Sequence, residues 1–223
     1  MKRLFLFVAF VLSSYDLSAG NGADTSPVGD NQELAGIFRE DQADRTMAPG
    51  REIDWIAVSP RDEAREIRVK ELMSSGSLKS GADYFHAAMV LQHAVTPDDY
   101  LLAHDLCVIA IGKGEPQAKW LAAASLDRFL VSIGRQQRYG TQYGSNRIHL
   151  PMRLAPVDPT VPDSIRAEMN VPPLEESKKR EAKMVEEFEA KKKAPNKALE
   201  PTATSVTPAA DAPVAPAAAA AHL

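Results

Sequence analysis

The chain has 223 residues, 44% of them hydrophobic and 25% charged, which suits one globular domain with appendages and is too short for two full enzyme domains. A formal charge of -4 leaves no global basic field to hold a nucleic-acid backbone, so nucleic acid is not an expected partner. The single cysteine, Cys107, excludes an internal disulfide framework and any multi-cysteine metal centre, and stability has to come from an apolar core.

Residues 1–20 begin with Lys2-Arg3, continue through the apolar run Leu4 to Leu12 and end in small and polar residues up to Ala19-Gly20. That order is the pattern of a secretory signal peptide. Its apolar run is about half of the ~20 residues that a bilayer span needs. Cleavage after Ala19 or Gly20 is expected to leave a periplasmic or secreted chain with no membrane span. Residues 21–29 are too polar to pack and read as a flexible leader.

The helical domain is expected over 30–172. Asp30 and Glu33 are placed as an N-cap and capping-box pair for a first helix, which carries Leu34, Ile37 and Phe38 on one face and runs to Arg45 or Thr46. Met47-Ala48-Pro49-Gly50 breaks it. Ser59-Pro60 reads as the next start, with Asp62 and Glu63 in the first turn and sparse apolar positions at Ile67, Leu72 and Met73. This second helix should lie on the surface and stop at Gly76.

Residues 82–133 hold most of the core. Tyr84 to Val95 gives one helix, Thr96-Pro97-Asp98-Asp99 caps another that ends at Gly112, and Glu115-Pro116 opens a third that stops at Gly134. Short linkers between them predict antiparallel neighbours, so the fold class is an all-α, small antiparallel helical bundle. After Gly134 the pattern changes to a loop or short β-hairpin over 135–151, extended chain to Pro162, and a short helix over 164–170 capped by Asp163. Residues 173–193 are dominated by Glu, Lys and Arg, which predicts a solvated helix. The Ala/Pro-rich segment 194–223 has no amphipathic face and is expected to be disordered.

Familiar chemical signatures are missing from the chain. No phosphate-binding loop, nucleophile elbow or dinucleotide fingerprint occurs. His86 and His93 stand seven residues apart, roughly 10 Å along a helix axis, too far to chelate one ion as a local pair. No metal and no cofactor is therefore expected. What stands out is polar residues set against apolar helices. Asp41, Gln42 and Arg45 lie within one turn, with Asp41 and Arg45 at the spacing of an ion pair. Gln92-His93 ends an apolar run, Asp127-Arg128 interrupts another, and Gln137-Arg138-Tyr139-Gly140-Thr141-Gln142 follows as a loop dense in donors and acceptors.

This set of residues, Asp41-Gln42-x-x-Arg45 with Gln92-His93-Ala94, Asp127-Arg128 and Gln137-x-Tyr139-Gly140-Thr141-Gln142, resembles a bacterial family catalogued as domain of unknown function 6624. The resemblance covers about residues 32–175. It departs at Val95, where a polar residue would be expected. It implies a helical domain, exported or found beside other domains, and no particular activity.

Three readings of the cluster Asp41, Gln42, Arg45, His93, Asp127, Arg128, Gln137, Tyr139, Gly140 and Gln142 follow. It can be a buried network that fixes the loop on the bundle. It can be a site for a small polar ligand, peptide or cell-envelope component, with Arg45 or Arg128 holding an anion and the loop supplying hydrogen bonds. It can be a hydrolase-like centre with Asp127 or His93 as general base, an arginine stabilising developing charge and Tyr139 as proton donor. The expectation is an exported binding or interaction module whose partner is unknown, with the enzyme as the alternative.

Overall fold

The computed structural model describes residues 30–46, 53–145 and 150–193. The expected signal segment, the leader at 21–29, the break at 47–50, His149 and the tail from 194 lie outside the described residues. In chain order the elements are α1 Gln32–Arg45, α2 Trp55–Ser74, α3 Gly81–Leu91, α4 Pro97–Gly112, α5 Ala118–Ser132, β1 Tyr143–Gly144, β2 Arg153–Leu154, α6 Asp163–Glu168 and α7 Leu174–Lys193. The fold is an all-α helical bundle, and the segment after α5 contains an antiparallel hairpin in which Tyr143 pairs with Leu154.

Local chemistry explains most of the helix ends. The Thr96 hydroxyl accepts from Asp99 N, with Pro97 in the first turn of α4. Gly134 stops α5 with φ +78°, a conformation that favours glycine. α3 stops at Leu91, short of the expected Val95, and α5 begins at Ala118, with Pro116 in the turn before it rather than in its first turn. Three further starts differ from the sequence reading. α1 is capped by Asn31, whose Oδ1 accepts from Leu34 N at 3.0 Å; Glu33 leaves the expected capping box to pair with Arg68 of α2 at 2.6 Å. α2 starts a turn before Ser59-Pro60, because Asp54 accepts from Ile56 N and Ala57 N and tolerates Pro60 inside the helix. Asp163 opens α6 as its first residue after Pro162 rather than capping it.

α3 packs on α4 and α4 on α5, with α1 and α2 covering α3. The core joins Leu34, Val69, Leu72, Leu91, Leu106 and Leu121 to a run of small residues, Ala87, Ala88, Ala103, Ala110, Ala118 and Ala122. Alanines at facing positions let helix backbones approach to the short end of the usual 8–10 Å interaxial range. The His104 ring adds a polar tie from α4 to the Ala122 carbonyl of α5 at 2.9 Å. Cys107 is buried in the same core, and desolvation pushes its thiol far above the ordinary range, so it acts as a small hydrophobe.

Two elements sit deeper than their sequences suggest. α2 turns Val58, Arg65, Val69 and Leu72 inward, while Ile67, read as part of its apolar face, is exposed. α7 is not simply a solvated appendage. Its Ser177 is buried, the Tyr143 hydroxyl donates to the Ser177 carbonyl at 3.0 Å, and Glu181 faces Arg153 of β2 at 3.7 Å. The rest of α7 carries exposed Glu-Lys pairs such as Lys178 with Glu175, which contribute little stability.

Asp83 ties α1 to α3. Its fully buried carboxylate accepts from Asn31 N at 2.7 Å, Lys79 N at 2.8 Å and Ser80 N at 3.0 Å. Replacing it by alanine leaves three backbone donors without a partner. Asp83→Ala is expected to lose about 2–4 kcal/mol of unfolding free energy, measured by urea denaturation; a loss below about 0.5 kcal/mol would show that water replaces the carboxylate freely.

Candidate functional site

The polar residues singled out from the sequence divide into two groups, and Arg128 joins them. The first group is built on Asp41, fully buried on the inner face of α1. Its Oδ1 accepts from Arg45 at 2.9 Å and faces His93 Nδ1 at 3.1 Å, and its Oδ2 accepts from the Gln42 amide at 2.7 Å. The expected Asp41 and Arg45 pair is therefore present, and the fold delivers His93 to it from the turn after α3. A carboxylate can only accept, so Nδ1 of His93 carries the hydrogen and Nε2 holds the lone pair. Among the described residues Nε2 has no protein partner, and it is not one of the buried unpartnered atoms.

α2 extends this group with residues that sequence reasoning passed over. Arg45 also reaches Asp62 at 2.7 Å, Arg65 bridges Asp62 and Asp44, each at 2.7 Å, and Arg61 closes on Asp44 at 2.8 Å. The spacing Val58, Asp62, Arg65, Val69, Leu72 continues one helix stripe through two charged positions. That stripe was the available signal. Arg45, Arg61 and Arg65 thus face Asp41, Asp44 and Asp62, and the charges of the α1 and α2 interface balance.

The second group is built on Asp127 of α5, also fully buried. Its Oδ1 accepts from Arg138 N at 2.6 Å and Tyr139 N at 2.9 Å; its Oδ2 accepts from Thr141 N at 3.0 Å and the Thr141 hydroxyl at 2.8 Å. Burial pushes the pKa of this carboxyl up, and the loop donors pull it back. Gln137 and Gln142 brace the same loop reciprocally: Gln142 N donates to Gln137 Oε1 at 2.8 Å, and Gln137 Nε2 donates to the Gln142 carbonyl at 2.9 Å. Gly140 has φ +74°, which disfavours any other residue, and a Cβ there would sit tightly, 3.1 Å from the Arg166 side chain and 3.3 Å from that of Leu174. Arg166 of α6, which sequence reasoning also missed, donates to the Tyr139 carbonyl. Tyr139 thus enters the loop through both of its backbone groups.

Arg128 lies between the groups. Its Nε donates to Gln142 Oε1 at 3.2 Å, its NH1 to the Gln92 carbonyl, and its guanidinium sits 5.6 Å from the centre of the Tyr100 ring. These partners are neutral. Among the described residues Arg128 has no carboxylate partner, and Asp127 beside it in sequence lies on another side of the helix, turned into the loop. Desolvation holds the Arg128 guanidinium below its ordinary range and Arg45 lowers it further. Arg128 thus holds the residue before His93, and its charge acts on the imidazole, pushing the His93 pKa down.

His86 is stacked on Phe38 with ring centroids 4.3 Å apart, away from these groups. Among the described residues no group of three or more His, Cys, Asp or Glu could hold a metal ion. No helix among them is long and apolar enough to cross a membrane.

Two measurements test the two groups separately. Asp127→Asn turns an amide donor toward backbone donors and is expected to cost about 2–4 kcal/mol of stability; an unchanged urea midpoint would remove its role in the loop. For His93, burial pushes the pKa below the ordinary range, Asp41 pulls it up, and Arg45 and Arg128 push it down. A base that binds its proton more weakly when folded is destabilising once protonated, so stability is whole above about pH 6.5 and falls as pH drops from there toward the folded pKa. Burial lowers His86 as well, so His93→Gln should flatten part of that fall in urea titrations between about pH 7.5 and 5.5. An identical slope in the variant would contradict the assignment to His93.

Comparison of the chain with protein-family models, with characterised proteins and with solved structures finds no match.

Proposed function

We propose that this protein is an exported binding module for a small anionic ligand, received at Arg128 beside His93 where α3, α4 and α5 meet. The observation that carries the reading is Arg128, a desolvated guanidinium held by the Gln92 carbonyl and the Gln142 side chain with no carboxylate against it among the described residues. An unpaired charge largely removed from water is costly, and a protein that needed only a structural tie would gain from a neutral side chain there. An anionic ligand supplies the missing countercharge. The group around Asp127, Gln137, Tyr139, Gly140 and Gln142 then serves the site indirectly by holding Gln142, and through it Arg128. The resemblance to domain of unknown function 6624 spans both groups. The segment at 1–20 supports a periplasmic or secreted location, where small metabolites, peptides and envelope fragments are the available ligands.

In this reading Asp127 is spent on the loop, so His93 is the residue to which any general-base chemistry would fall. Its Nε2 lone pair is the accessible one, fixed by Asp41 at Nδ1.

The test is thermal unfolding of the full chain with inorganic phosphate, sulfate and acetate. Wild-type protein should melt higher as one of these is added, since ligand at about 100 times its Kd contributes about 2.7 kcal/mol. Arg128→Gln should be as stable as wild type or more so without anion, and should lose the ligand-dependent rise. An equal rise in both proteins, or none in either, would sink the proposal.

A further inference from the structure

Resting on that reading, we propose that the site takes a phosphate-type dianion, inorganic phosphate or a phosphomonoester, and takes up one proton at His93 Nε2 as the dianion binds.

The donors left over on each side chain define the ligand. Arg128 uses Nε and NH1 on Gln142 and Gln92, which leaves NH2 with no protein partner among the described residues. NH2 is not one of the buried unpartnered atoms, so it reaches solvent. His93 offers Nε2 on the same terms. In neutral imidazole, however, that nitrogen presents a lone pair, which repels an oxyanion. An anion seated against both residues therefore needs a hydrogen on Nε2. The proton comes from solvent and converts imidazole to imidazolium, and no bond to the ligand is made or broken.

Charge then distinguishes ligand classes. The α1 and α2 network is balanced within itself, with Arg45, Arg61 and Arg65 against Asp41, Asp44 and Asp62. One guanidinium remains, and a monoanion such as a carboxylate would be matched by Arg128 alone. A dianion leaves one negative charge over, and imidazolium is the group placed to meet it. The charged groups facing His93 are Asp41 and Arg45 of α1 and Arg128 of α5; Arg65 of α2 stands 3.9 Å from the same Asp41 oxygen, and Tyr100 of α4 lies beneath Arg128. Asp41 stabilises the imidazolium through Nδ1, while the arginines oppose it until the anion arrives. Burial keeps the unliganded ring neutral near pH 7.5, so the proton is gained on binding rather than held beforehand.

Sulfate is the probe for counting protons, because it stays dianionic throughout the working range. Isothermal titration of the full chain at about pH 7.5, in buffers of different ionisation enthalpy, should show uptake of about one proton, with affinity falling about tenfold per pH unit above that. His93→Asn keeps an amide where Nδ1 stood and should bind sulfate with no proton uptake. Should that variant fail to fold, the ring resonances of His93 in wild-type protein give the same answer: sulfate should raise its pKa by at least about two units. Acetate should bind at least about tenfold more weakly than sulfate and without uptake. Tighter binding of phenyl phosphate than of inorganic phosphate supports a monoester as the source, and the reverse supports the free ion. Sulfate binding without uptake, uptake that persists in His93→Asn, or acetate binding as tightly as sulfate would each overturn the inference while leaving anion binding intact. Absence of any anion effect that depends on Arg128 overturns the underlying reading instead.

Discussion

The carboxylate of Asp127 points into the loop that follows its own helix, and the rest of the polar architecture is arranged around that choice. By accepting from the backbone of Arg138, Tyr139 and Thr141, it closes the segment after α5 into one fixed shape. Arg128, its neighbour in sequence, points about 100° away around the helix and draws no charge from it. Gln142, held in the closed loop, takes Nε of Arg128, and the Gln92 carbonyl takes NH1. Two neutral acceptors orient the guanidinium and leave its charge in place.

The α1 and α2 interface solves the opposite problem. Buried charges are tolerated there because each has an oppositely charged partner within 2.9 Å, and Asp41 is satisfied on both oxygens, although Nε of Arg65 is buried without a hydrogen-bond partner. Replacing such a network with apolar residues of similar volume is often neutral for stability. Its value lies in register. Arg45 and Arg65 meet carboxylates from both helices, which sets α2 at one position along α1, and Asp41 then stands opposite the turn after α3. His93 inherits its tautomer from that register.

The C-terminal elements brace the same loop from outside. Arg166 of α6 donates to the Tyr139 carbonyl, Leu174 and Ser177 pack over Gly140, and the Tyr143 hydroxyl reaches the backbone of α7. Arg166 is fully buried, and its Nε and NH2 have no hydrogen-bond partner, although Asp163 stands 3.3 Å from Nε. Two desolvated arginines therefore flank the loop, one on the side of α3 and α4 and the other beneath α7. Of these two, Arg128 is the one with an unpartnered nitrogen that reaches solvent, which is why the functional reading rests on it.

The sequence by itself determined the helical class and the approximate positions of α3 to α5, because apolar period, caps and glycine stops are local signals. Thr96-Pro97 and Gly134 show this directly, and the Asp41 and Arg45 pair was legible for the same reason, being one turn apart. That the segment after α5 pairs as a hairpin, with its second strand at Arg153–Leu154 beyond the expected range, was decided by the packed structure. Asn31 in place of Asp30, Asp54 in place of Ser59 and the docked first turn of α7 were decided by tertiary contacts that override local preference, such as Asp83 taking the Asn31 N–H. The single cluster expected from Asp41, His93, Asp127 and Gln142 became two, because adjacent residues on a helix point about 100° apart and Asp127 and Arg128 cannot share one partner. Asp62 and Arg65 were hidden because a charged position on an inward stripe looks like a solvated one until its partners on the next helix are known. Spacing along the chain tells which side chains share a face; only the packed structure tells which of those faces meet, and which charge is left without its opposite.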